Sequence, residues 1–184
     1  MNPMLHMALA FMAVTGIASA AAPLPYQGTD RSLGVASCAN SLCHGSTNLW
    51  RGSNVLQDEY LTWHRADKHA RAYAVLENDL SKDIARKLGL RAPAHQSPIC
   101  LDCHAHNVPP AKRAEKFMLS DGVTCEACHG GAGRWVTSHV EPDATHARNR
   151  SQGLFPTSDD VERARLCLSC HFGARDKLRS EEHT

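Results

Sequence analysis

Apolar residues are distributed unevenly along this chain. Met7 to Ile17 is a nearly continuous apolar run that ends at the small-residue series Ala18-Ser19-Ala20. That arrangement predicts a secretory signal peptide over residues 1–20 and a single domain over 21–184, exported to the periplasm. The run is short for a membrane span and no later one replaces it, so no transmembrane segment is expected after signal removal.

Beyond the leader the apolar spacing is helical. Tyr60, Trp63, Ala66, Ala70, Tyr73 and Ala74 predict one long helix from Asp58 to Asn78. Ser81 to Leu88 predicts a short helix with Ser81 as N-cap and Gly89 just past its end. Pro109-Pro110 opens a third, through about Leu119. Ser158 is placed to cap a fourth, with Asp159 and Asp160 in its first turn, continuing into Cys170. Gly130-Gly131-x-Gly133 reads as a loop and Asn149 to Pro156 as irregular chain. Alternating strand patterns are nearly absent. The expected fold is mainly α, short helices and long loops with little or no sheet.

Composition changes this picture. The chain has 8 Cys and 12 His but only 3 Trp, 3 Tyr and 4 Phe. A side-chain core that thin is unusual at 184 residues and calls for another filling: metal, disulfides or a covalent cofactor. Charge adds little, because 20 Lys+Arg against 19 Asp+Glu with no basic stripe disfavours nucleic acid.

The cysteines fall into four local pairs, each followed at once by histidine: Cys38…Cys43-His44, Cys100…Cys103-His104, Cys125…Cys128-His129 and Cys167…Cys170-His171. Cys-x-x-Cys-His is the attachment signature of c-type haem. Two nearby thiols add to the vinyl groups of one porphyrin as thioethers, and the adjacent imidazole becomes the proximal iron ligand. The first site has four intervening residues instead of two. Structural zinc does not explain an adjacent histidine four times over. Disulfides between neighbouring cysteines leave the histidines unexplained, and no βαβ pattern supports a thioredoxin-type site. The expectation is four covalent haem c groups, with His44, His104, His129 and His171 proximal.

Seven other histidines follow the leader: His64, His69, His95, His106, His139, His146 and His183. Met118 is the one methionine beyond it, so bis-His ligation is the default. On the predicted long helix His69 shares a face with Ala66, Ala72, Tyr73 and Leu76, which suits a buried distal ligand. His64 lies beside Asp67, Lys68 and Arg71, which suits solvent. His139 follows Trp135 by four residues near the third site. His183, His106 and His95 are the further distal candidates, each against the alternative of a surface histidine.

Several segments together resemble the multihaem cytochrome c family typified by the tetrahaem electron carrier of nitrifying bacteria. They are Asp67-Lys-His-Ala-Arg-Ala-Tyr, Cys100-Leu-Asp-Cys-His-Ala, Gly122-Val-Thr-Cys-Glu-Ala-Cys-His-Gly-Gly with Trp135 and His139, and Arg163-Ala-Arg-Leu-Cys-Leu-Ser-Cys-His-Phe-Gly. The resemblance implies distal roles for His69 and His139, and closely packed haems passing electrons between redox partners. Relatives often continue past the last site with further histidine-containing sequence, which leaves His183 as the nearby C-terminal candidate.

The expected function is therefore a periplasmic tetrahaem electron carrier. Its partners would be other cytochromes or a membrane quinol-linked oxidoreductase. Two alternatives stand beside it. One is a haem enzyme acting on nitric oxide or hydroxylamine at one five-coordinate iron; the other is an electron-relay subunit of a larger complex, docked through the tail Asp176 to Thr184.

Overall fold

A computed structural model describes residues 21–173. The expected signal peptide, His183 and the tail from Asp176 lie outside the described residues. Among the described residues the chain is helical, with no named strand and a single isolated parallel bridge between Ser32 and Arg113. No helix among them is long and apolar enough to cross a membrane.

Among the described residues seven short α-helices carry the architecture: α1 (Glu59–Ala66), α2 (Asp79–Lys87), α3 (Pro98–His104), α4 (Cys125–His129), α5 (Trp135–Ser138), α6 (His146–Ser151) and α7 (Asp160–Leu168). Local chemistry sets their ends. Asn78 caps α2 by accepting from the Ser81 amide at 2.8 Å, Arg86 and Lys87 occupy the last turn, and Gly89 follows at φ +66°. Asp159 caps α7 by accepting from the Val161 and Glu162 amides at 2.9 and 3.1 Å. In both helices the N-cap is therefore not the serine expected from sequence: it is Asn78, three residues before Ser81, in one and Asp159, next to Ser158, in the other. Beyond Leu168 the last turn widens over Ser169–Gly173 and carries Cys170 and His171.

The single long helix from Asp58 to Asn78 is not what forms. The backbone leaves the helix at Asp67 (φ −82°, ψ 130°), and its side chain then caps a new 3-10 turn, Lys68–Arg71. A carboxylate that captures the next free amides competes with helix continuation, which the apolar period does not register. The helix expected from Pro109 to Leu119 is likewise only a 3-10 turn, Pro110–Lys112, with a second at Leu119–Asp121. Here Ser32 pairs with this stretch instead, its amide donating to Lys112 O and its carbonyl accepting from the Ala114 amide. Residues 149–151 of the segment expected to be irregular close α6; the remainder is irregular as expected.

The thin core is real. The described residues form one small apolar cluster, Leu76, Ala85, Ala94, Leu101 and Ala105, which packs beside the second attachment site through Cys100. Large apolar side chains elsewhere, including Trp50 and Val55, stay exposed in the polypeptide alone.

Candidate haem sites

No disulfide joins any of the eight cysteines among the described residues. At the first site the two extra residues are taken up in a turn over Asn40, and the His44 amide returns to Cys38 O at 3.2 Å. Gly45 is required there, because a Cβ would collide with Ala39 O. The three Cys-x-x-Cys-His sites sit on or at the end of helices, α3, α4 and α7, where residues three and four apart share a face.

The first segment touches the third and the second touches the fourth, while the third and fourth lie near enough for their thiols to interact electrostatically. The Cys38 and Cys125 thiols hydrogen-bond each other, and that bond together with burial pushes the Cys38 thiol up. Burial, aided by the nearby Cys167, Cys125 and Cys170 thiols, pushes Cys128 up to about 11. Cys103 Sγ lies 3.9 Å from Cys170 O, and Cys170 Sγ lies 3.9 Å from Asp102 O.

Four histidines have one ring nitrogen committed. His44 Nδ1 lies 2.9 Å from Glu59 Oε2, and His69 Nδ1 lies 2.9 Å from Asp67 Oδ1. His104 Nδ1 lies 3.0 Å from Ala72 O, and His139 Nδ1 lies 2.5 Å from Val136 O. Carbonyl and carboxylate oxygens only accept, so in each ring Nδ1 carries a proton and Nε2 is the nitrogen left to face a metal. Metal-ligating histidines share that arrangement, which fixes tautomer and ring orientation. At Glu59 burial pushes the carboxyl up, but hydrogen bonds from His44, its own backbone and Leu56 outweigh it and hold the group below the usual range.

Two pairs of rings come close together, one near-parallel and one edge-on. His44 and His139 have centroids 6.3 Å apart with planes 8° from parallel; His69 and His171 are also 6.3 Å apart, at 76°. An imidazole-bound metal lies about 2.0–2.1 Å from its nitrogen, so two rings across one ion have centroids about 6 Å apart.

These groups surround a cavity of about 450 Å³. Cys38, Cys125 and Cys128 supply thiols to its wall, and His44, His69, His129 and His139 supply imidazoles. His129 is exposed on the cavity wall, and the protein atoms around it, with His44 nearby, push its imidazole down, toward the neutral form that ligates. Trp135 and Thr124 also line the wall, and Trp135 Nε1 and Thr124 Oγ1 are buried without a protein partner. Thiols, imidazole Nε2 atoms and orphaned donors together fit a haem with polar edge groups.

The remaining histidines are placed differently. His69 is not buried: its side chain is half exposed and reaches the cavity from the turn after Asp67, not from a helix face. His64 is exposed and stacks on Tyr60. His95 packs edge-on against Tyr73. His106 is buried beside Phe117 with Nε2 2.8 Å from Ser32 Oγ, and it is not part of the cavity wall. His146 is exposed at the start of α6.

Three carboxylates escaped the sequence reading. Glu59 and Asp67 hold ligand-type histidines, and the Asp-x-His spacing of Asp67 and His69 was the available signal. Glu126, inside the third motif, is 1% exposed and accepts from the amides of Leu33, Gly34 and Ala132, each at 2.8 Å. It thereby ties the segment before Cys38 to the helix of the third site. Gly122 of the same motif, at φ +78°, lets its backbone approach His69 O, where a Cβ would lie at 2.7 Å; the Val123 amide donates to that oxygen.

Helices short enough to end in Cys-x-x-Cys-His, wrapped around a wall of thiols and imidazoles, define a multihaem c-type cytochrome. The family model of cytochrome c554 and c-prime matches residues 37–130, and the chain belongs to that family. No curated protein and no solved structure matches the chain. The matched segment carries the first three Cys…Cys-His motifs. The protein therefore binds haem c covalently and works in electron transfer.

Proposed function

We propose that this chain is a periplasmic tetrahaem cytochrome that relays electrons between redox partners through haems held largely by two histidines each. Residues 21–184 form the one tetrahaem domain, behind a cleaved signal peptide at 1–20. Cys38 and Cys43, Cys100 and Cys103, Cys125 and Cys128, and Cys167 and Cys170 attach the four groups. His44, His104, His129 and His171 are proximal; His139 completes the first iron and His69 the fourth. The close rings of His44 with His139 and of His69 with His171 carry this reading, because both pair a motif histidine with a non-motif one.

When bound, each haem supplies a one-electron iron couple. The polypeptide's part is to keep the irons six-coordinate and close. Contact between the segments of sites one and three and of sites four and two, with electrostatic proximity of the site-three and site-four thiols, supports hopping in the order one, three, four, two. Partners with matching one-electron chemistry are other cytochromes or a quinol-linked membrane oxidoreductase.

Pyridine haemochrome assay of the purified holoprotein should give four haems per chain; two or fewer overturns the proposal. Carbon monoxide added to the reduced protein should leave the spectrum unchanged. A change in one haem would instead indicate an open iron and favour the enzyme reading.

A further inference from the structure

The four histidines with fixed Nδ1 protons do not share one kind of acceptor. His44 and His69 donate to carboxylates, Glu59 and Asp67, whereas His104 and His139 donate to the backbone carbonyls of Ala72 and Val136. A carboxylate carries a full charge and draws the N–H proton more strongly than a carbonyl does. The ring then gains imidazolate character, Nε2 becomes a stronger donor, and the ferric state is favoured over the ferrous.

Both carboxylates are anchored for this task. Glu59 uses its second oxygen to accept from the Leu56 amide at 2.8 Å. Asp67 accepts from the backbone amide of His69 as well as from its ring, both at 2.9 Å and both on Oδ1. Each also lines the cavity that His44 and His69 enter.

We propose that Glu59 and Asp67 set the reduction potentials of the first and fourth haems, holding each below the value a neutral acceptor would allow. The inference rests on the ligation reading above, in which His44 and His139 share one iron and His69 and His171 another. Glu59 and Asp67 act through those imidazoles, so they are positioning residues that also carry charge. Lower potentials at these two sites bias the resting distribution of electrons toward the second and third haems.

The test is a potentiometric titration of the holoprotein, with ferric haems resolved by electron paramagnetic resonance, on wild type, Glu59→Gln and Asp67→Asn. Asparagine keeps an oxygen that can accept both bonds from His69, so Asp67→Asn removes charge with little change of shape. Each variant should keep its haem count and low-spin signals. In each, one haem should show a reduced-to-oxidised ratio about tenfold higher at fixed poise, an upward shift of about 59 mV for one electron. Asp67→Glu, which keeps the charge, should stay nearer to wild type. Unmoved potentials with intact low-spin signals overturn the inference and leave the ligation standing; an Asp67→Glu shift equal to that of Asp67→Asn does the same. His69→Ala that leaves every haem low-spin overturns the ligation reading itself.

Discussion

Glu126 offers the sharpest energetic test, because its surroundings fix both the sign and the order of two substitutions. Its carboxylate is almost wholly buried, and the amides that converge on it come from two separate segments, Leu33 with Gly34 and Ala132. Glu126→Ala orphans three amide donors and leaves a void. Each buried orphan costs about 1–3 kcal/mol, and relief of the buried charge offsets part of the sum, so a net loss of about 3–5 kcal/mol is expected. At about 2–4 °C per kcal/mol for a domain of this size, the melting temperature should fall by about 6–20 °C. Glu126→Gln is milder. Oε1 already serves Leu33 and Ala132, so a glutamine oxygen can keep both, while its amide group faces the Gly34 N–H in place of Oε2. The loss should be about 1–3 kcal/mol. Thermal and denaturant unfolding of holoprotein matched for haem content measures both. A glutamine variant as stable as wild type, or an alanine variant losing less than about 1 kcal/mol, refutes the clasp.

Two further outcomes follow from other sites. Burial raises the Asp121 carboxyl above its usual value, so the folded state holds that proton more tightly than the unfolded chain. Its contribution is full below the unfolded pKa and is lost as pH rises through the folded one; Asp121→Asn should flatten this decline and stabilise the protein at neutral pH. Unfolding curves from about pH 4 to 7 check it, and parallel curves for variant and wild type refute it. His106→Gln should leave the number of low-spin haems unchanged, since Ser32 occupies Nε2 of that ring; conversion of one haem to high spin would place His106 on an iron.

The cofactor was legible in the sequence because covalent attachment is a local requirement. Two thiols and an imidazole must reach one porphyrin from adjacent backbone, so the chemistry writes itself as Cys-x-x-Cys-His, whatever the rest of the chain does. The mainly helical class was legible for a similar reason, since periodic apolar positions and caps act within a few residues. Where local cues conflicted, the periodicity misled: it carried a helix through Asp67, whose side chain instead ends α1 and starts the turn that delivers His69 to the cavity.

Tertiary structure alone decided which groups meet. His44 meets His139 across 95 residues of chain, and His69 meets His171 across 102, at distances that no spacing rule encodes. The same holds for Glu126, which satisfies amides 92 and 93 positions away, and for the contacts of the first Cys…Cys-His motif with the third and of the second with the fourth. Sequence determined that haem c is bound and displayed the Cys…Cys-His motifs proposed to tether it, because bonds and caps are local. Packing decided which histidine rings meet across the fold, because that depends on how distant segments fold against one another.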